Sequence, residues 1–131
     1  MLKPKTLPPS SVIGILGGGQ LGRMLAIAAA EMGYKTHIYC PEKDSPASEV
    51  SCFNTIGKYD DIAALTNFAG QVDVVTYEFE NIPAKPVEEI AKLVNVFPSP
   101  KILAISQDRI LEKQAVNDMG IRTAPFAPIY S

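Results

Sequence analysis

The stretch Ser11 to Leu25, SVIGILGGGQLGRML, decides how this chain is read. SVIGIL is a short apolar run with β-branched residues, bounded by glycines, and reads as a buried strand. Three adjacent glycines follow, and Gly17, Gly19 and Gly22 satisfy G-x-G-x-x-G. Leu21, Met24, Leu25, Ala28 and Met32 then recur at helical spacing up to Gly33, a C-terminal signal. This stripe, Met24 and Met32 included, is expected to face the core. Strand, glycine turn and helix together make a phosphate-friendly device. Glycine permits positive φ and lets a ligand approach the backbone. The helix start offers free N–H groups and a positive dipole end.

Two readings of the turn stay open at this point. A dinucleotide reader needs an acidic residue about 20 residues on, closing the second strand, for the ribose hydroxyls. Glu42 has about that spacing, but it follows Pro41 and lies beyond the strand end. Gly18 and Gln20 are atypical of such a turn and would widen its mouth for a small hydrogen-bonded substrate. Arg23 stands in the first helical turn against the dipole. It is either a hint of an anionic partner or a solvated surface residue.

Working outward, YKTHIYC is the next strand and PEKDSPASEVS a polar loop. CFNTIG is a short strand. Asp60 or Asp61 caps a helix in which Ile62, Leu65 and Phe68 or Ala69 face the core, ended by Gly70. VDVVTYEF is a strand, and Val87, Ile90, Ala91 and Val94 mark a helix with Pro86 in its first turn. NVFP reads as a short strand. Ser99-Pro100 opens a further helical region, broken near Ser106 to Asp108, that runs to Gly120. Strand and helix alternate, and the strands are apolar on both faces. The expected fold class is therefore α/β: an open, mainly parallel Rossmann-like sheet with helices on both faces. Residues 1–10 read as a flexible Pro-rich arm, 11–120 as the domain, and 121–131 as the start of a linker.

The 131 residues are enough for one ordinary domain. Hydrophobic residues make up 47% and charged residues 20%, so a packed core is expected. A net charge of −2 and a pI near 5.3 give no general attraction to DNA or RNA. No apolar run approaches the roughly 18 residues needed to span a bilayer, and no secretory signal is visible. Cys40 and Cys52 match no zinc or redox spacing and read as free thiols. A cytoplasmic location is expected. His37 is the only histidine and sits mid-strand, so no Ser/His/Asp set and no Cys/His metal cluster can be built.

The second constellation is VVTYEFENI, Val74 to Ile82. In open parallel sheets the carboxyl ends of the strands form the ligand crevice. Gln20 and the Glu78–Asn81 segment are thus expected on one pocket. Glu78 and Glu80 would accept hydrogen bonds from ribose hydroxyls or an exocyclic amine, with Tyr77 supplying a ring face or hydroxyl. The plainer reading is a polar loop with Asn81 as a helix cap.

GGGQLGRM, SPA, YDD, VVTYEFENI, FPSP and QDRILEKQ, in that order, resemble the N-terminal third of the 5-(carboxyamino)imidazole ribonucleotide synthases. These are purine-biosynthetic members of the ATP-grasp superfamily. The resemblance implies a pre-ATP-grasp domain, with a lid and an ATP-grasp domain beyond it. It implies ATP-dependent carboxylation of 5-aminoimidazole ribonucleotide by bicarbonate, through carboxyphosphate. It implies substrate-binding roles for Gly19, Gln20, Leu21, Tyr77, Glu78 and Asn81, and an ATP contact for Arg109. The cofactors it implies are ATP and Mg²⁺, with the metal ligands in the ATP-grasp region, and the whole enzyme is expected to be a homodimer. A chain ending at Ser131 is then expected to be inactive alone. Two alternatives are a small NAD-binding Rossmann domain and a standalone nucleotide-binding regulatory module.

Overall fold

The computed structural model describes residues 6–129. Among them the chain forms β1 (Val12–Leu16), α1 (Gln20–Glu31), β2 (Lys35–Cys40), β3 (Phe53–Ile56), α2 (Ile62–Ala69), β4 (Val74–Tyr77), α3 (Ala84–Ile90), α4 (Pro100–Ser106) and α5 (Arg109–Asp118). The strands lie in the order β3-β2-β1-β4, and every pairing is parallel. The expected α/β class is therefore observed.

The alternation of side chains along β1 builds two cores. Leu16, Tyr39 and Val75 face one side, where Leu65, Phe68, Val87 and Ile90 from α2 and α3 cover them. Ile15, Ile38 and Cys40 face the other side, against Ala26 of α1 and Ala47. A strand buried on both faces must be apolar throughout, and VIGIL is. Gly14 interrupts that run for a packing reason: a Cβ there would lie 2.7 Å from Cζ of Phe68. The ring of α2 fills the space that a side chain would take.

Helix α1 corrects the sequence reading. Its buried residues are Gly22, Ala26 and Ala29. The larger apolar residues point outward, with Met24 63% and Met32 65% exposed. Both stripes recur at helical spacing, and small side chains let the helix approach the sheet closely. In α2, Leu65, Phe68 and Ala69 are buried as expected, whereas Ile62 is exposed. Asp61 is the cap and accepts a hydrogen bond from the Ala64 N–H at 3.0 Å. NVFP is not a full strand: it adds to the sheet through a single bridge, Val75 to Val96. The expected break near Ser106 to Asp108 separates α4 from α5, and the Asp108 carboxylate caps α5. Of the expected arm, residues 1–5 lie outside the described residues. Ser10 donates its N–H to the Gly33 carbonyl at 2.8 Å, and the Tyr34 hydroxyl reaches the Leu7 carbonyl. Residues 121–129 carry no helix or strand, and 130–131 also lie outside the described residues.

His37 is 3% exposed, with Nε2 2.8 Å from the Thr55 hydroxyl and its ring edge-on to Phe68. Burial lowers its pKa below 6.5, because the imidazolium loses hydration there. The unfolded chain then binds more protons than the folded one as pH falls below 6.5. Stability is level above that pH and declines on acidification toward the folded-state pKa. Denaturant midpoints measured across this range should show the decline, and His37→Phe should flatten it.

Candidate functional site

β2 and β3 lie to one side of β1 and β4 lies to the other, so the direction of the chain reverses at β1. The crevice beyond the carboxyl ends of β1 and β4 is the switch point of the sheet. Leu16 pairs with Tyr77, which sets Gly17 beside Glu78. The Glu78 carboxylate turns back across the gap. Oε1 accepts the Gly19 N–H at 2.9 Å and Oε2 accepts the Gly22 N–H at 3.0 Å. Gly19 is the N-cap of α1; it makes no side-chain cap bond, and the first turn contains no acidic residue. Glu78, just after β4 and 59 positions from Gly19, supplies both missing elements. Charge-assisted hydrogen bonds of this kind are worth about 1.5–3 kcal/mol each.

The glycines are shaped around this contact. Gly17 has φ +122°, and a Cβ on it would meet Glu78 Cγ at 2.2 Å. A Cβ on Gly19 would meet Glu78 Oε1 at 2.9 Å. A Cβ on Gly18 would strike Cys40 Sγ and the Ser45 side chain, each at 2.6 Å. The third adjacent glycine therefore lets the 41–51 loop pack against the turn, and it also lines the cavity between them. That loop is bound to the turn: Ala47 donates its N–H to the Gly18 carbonyl at 2.9 Å. Arg23 donates to the Pro46 carbonyl at 3.0 Å and pairs with Glu49. Its cation thus holds the loop.

Between turn, loop and β4 lies a cavity of about 370 Å³. Gly18 and Gly19 form its floor, Glu42, Asp44 and Glu78 contribute carboxylates, and Tyr59 and Phe79 form an aromatic wall. No lysine or arginine lines it. The two rings meet edge-on with centroids 5.7 Å apart. Burial, then the neighbouring Cys40, Glu42 and Glu78, push the Tyr59 hydroxyl well above its ordinary pKa, so it stays neutral. Such a cavity is built to accept hydrogen bonds from hydroxyl and amine donors and to stack against a flat group.

A second groove, of about 440 Å³, runs between α1 and the end of β4. Leu21, Met24, Leu25 and Tyr77 line it, and Glu78 forms the wall shared with the first cavity. The Tyr77 hydroxyl is buried with no hydrogen-bond partner among the described residues, and burial raises its pKa. Gln20 is exposed at the first position of α1. Asn81 lies in a separate cleft with Glu80 and Gln107, and the Gln107 amide donates to the Glu80 and Ile82 carbonyls. The N-cap of α3 is Pro83, so Asn81 does not cap it. Arg109 opens α5, largely exposed, and pairs with Glu112.

The structure thus brings Gly19 and Glu78 together, with Leu21 and Tyr77 in the adjoining groove and Asn81 apart. Glu42 does line the first cavity. Phe79 falls in the Glu78–Asn81 segment expected on the pocket, whereas Asp44 and Tyr59 were not singled out from the sequence as lining residues. Tyr59 stands in YDD and Asp44 beside SPA, segments whose spacing carries no chemical signal of its own. Among the described residues, no group of three or more His, Cys, Asp or Glu side chains is placed to hold a metal ion.

A parallel sheet with a glycine turn and carboxylates at its switch point defines an α/β domain of Rossmann-like shape. The chain belongs to the ribonucleotide synthetase preATP-grasp domain family, whose model matches residues 11–107. It is 59% identical over 125 residues to a bifunctional purine synthesis protein of Dictyostelium discoideum, covering 95% of this chain and 12% of that protein. It is 50% identical over 121 residues to an N5-carboxyaminoimidazole ribonucleotide synthase of Brucella melitensis, covering 92% of this chain and 33% of that one. A solved Staphylococcus aureus N5-carboxyaminoimidazole synthetase complexed with ADP superposes with a TM-score of 0.89 at 37% identity, over 94% of this chain and 33% of that one. The Aspergillus clavatus synthase in complex with ADP and 5-aminoimidazole ribonucleotide gives a TM-score of 0.82 at 31% identity, over 88% of this chain and 31% of that one. The chain spans about a third of the length of these synthases.

Gly17→Ala should destabilise the chain by about 2 kcal/mol or more, because it combines a left-handed backbone with a collision against Glu78. Gly33→Ala has φ +82° but nothing within 4 Å of the new Cβ. It should cost only the backbone term, about 1–2 kcal/mol. Thermal unfolding of the two variants checks the order, and equal losses would remove the Glu78 contact as the cause.

Proposed function

We propose that this chain is the substrate-binding domain of an ATP-dependent ligase that carboxylates 5-aminoimidazole ribonucleotide with bicarbonate. In that reaction a bicarbonate oxygen attacks the γ-phosphorus of ATP and ADP leaves. The exocyclic amine nitrogen then attacks the carboxyphosphate carbon, a C–N bond forms, and phosphate leaves as the amine loses a proton. This chain's part is binding and orientation. The observation that carries the reading is the carboxylate-lined cavity at the switch point, in a chain matching the family whose A. clavatus member is solved with this ribonucleotide.

Glu78 is the central group of the proposed site. Each carboxylate oxygen spends one lone pair on α1, and the remaining lone pairs accept from an amine or ribose hydroxyl. Tyr59 and Phe79 offer a face to the imidazole ring. Gly19 lines the same cavity, Leu21 and Tyr77 line the adjoining groove that shares Glu78, Gln20 stands exposed at the start of α1, and Asn81 lies at a separate cleft. Glu42, Asp44 and Glu78 repel a phosphate dianion, so the phosphate end points out of this cavity. Arg109 meets ATP in the whole enzyme. Mg²⁺ is assigned to the ATP-grasp region that the family resemblance implies for the whole enzyme. When bound it neutralises charge on the transferring phosphoryl group. A homodimeric, cytoplasmic enzyme completes the proposal. Among the described residues no helix is long and apolar enough to cross a membrane.

Calorimetric titration with 5-aminoimidazole ribonucleotide and with NAD tests the reading. The ribonucleotide should bind more tightly, and Glu78→Ala should weaken it about tenfold, the worth of one charge-assisted hydrogen bond. Tighter binding of NAD overturns the proposal in favour of a dinucleotide domain.

A further inference from the structure

We propose that Glu78 is a built-in anion that closes the glycine turn to phosphate, so that a turn with the glycine spacing of a dinucleotide site rejects pyrophosphate-bearing ligands. Free N–H groups and the positive dipole end at a helix start favour an anion. In a dinucleotide fold that seat, after the first strand, receives pyrophosphate. Here the Gly19 and Gly22 N–H groups already donate to the two Glu78 oxygens, at 2.9 and 3.0 Å.

Three further observations agree. The space freed by the absent side chains of Gly17 and Gly19 is filled by Glu78 itself, with contacts of 2.2 and 2.9 Å to any added Cβ. Glu42 and Asp44 add negative charge to the same mouth. The cation in the first turn, Arg23, is turned away to Glu49 and the Pro46 carbonyl. An incoming phosphate must therefore expel a carboxylate held by two hydrogen bonds and finds no cation in exchange. A neutral hydroxyl or amine donor meets no such barrier. The inference does not depend on which ribonucleotide the domain binds. It concerns what the turn excludes.

The test is a titration of inorganic pyrophosphate into the ¹⁵N-labelled chain, followed at the Gly19 and Gly22 amides. In the wild type these two amides should show no saturable shift. Glu78→Ala should raise pyrophosphate affinity about tenfold or more, with both amides shifting. Glu78→Gln, which keeps the size and one acceptor oxygen, should give a smaller gain. Glu42→Gln removes the same charge from the mouth without opening the seat and should change affinity by less than about twofold. A structural role alone would move none of these affinities. Saturable shifts of both amides in the wild type overturn the proposal. So does a folded Glu78→Ala that binds no tighter, or a Glu42→Gln gain equal to that of Glu78→Gln. Should the alanine variant not fold, the glutamine variant against wild type and Glu42→Gln decides. Loss of ribonucleotide binding with gain of pyrophosphate binding separates this outcome from failure of the functional reading.

Discussion

The contact between Glu78 and the start of α1 is the constraint on which the site depends. It joins the residue after β4 to the turn after β1, across the point where the sheet reverses direction. A helix that begins with glycine has no side chain to cap its N–H groups, and unpaired donors at a partly buried helix end are costly. Glu78 removes that cost and requires the glycines in return, because its side chain fills the space where their Cβ atoms would stand. The 41–51 loop is fastened to the same turn through Gly18, Ala47 and Arg23. Turn, loop and strand end therefore form one hydrogen-bonded unit around the cavity.

That unit shows how a common architecture acquires a different chemistry. The strand, glycine turn and helix are shared with folds that bind dinucleotides, and shape alone does not distinguish them. The distinction lies in charge. A pyrophosphate site leaves the N–H groups at the helix start open to the ligand, whereas here they meet a carboxylate and the first-turn arginine is engaged elsewhere. The cavity that remains is acidic and aromatic, fitted to hydrogen-bond donors and a flat ring. The outward apolar residues of α1 form the wall of a second groove that shares Glu78 with the first.

Much of the fold was legible from local pattern. Apolar runs such as VIGIL and VVTY, separated by helical spacings and glycines, lead directly to a parallel sheet with helices on both faces. Asp61 and Asp108 were readable at helix starts because capping is a local interaction. The errors came where two local solutions look alike. On α1 both the Leu21–Met24–Leu25 stripe and the Gly22–Ala26–Ala29 stripe recur at helical spacing, and hydrophobicity favoured the larger one. Close approach to the sheet favoured the smaller one, and packing decided. NVFP has strand character, but it joins the sheet through a single bridge, in which the Asn95 carbonyl accepts from the Val75 N–H and the Phe97 N–H donates to the Val75 carbonyl. Asn81 and Glu78 are near in sequence yet line different clefts, because the chain turns between them into α3.

The sequence by itself determined the class of fold, the glycine turn and the switch-point edge on which a site would lie, because these follow from periodicity and local backbone chemistry. It also carried enough ordered motifs to indicate the family. Only the tertiary structure decided what fills the turn. Glu78 stands 59 and 56 positions from the two N–H groups it binds, and no local spacing encodes that pairing. The same holds for Tyr59 and Asp44, which enter the cavity only because the parallel sheet brings separate loops to one edge. Long-range register, set by the pairing of Leu16 with Tyr77, turned a phosphate-like signature into a carboxylate-filled one.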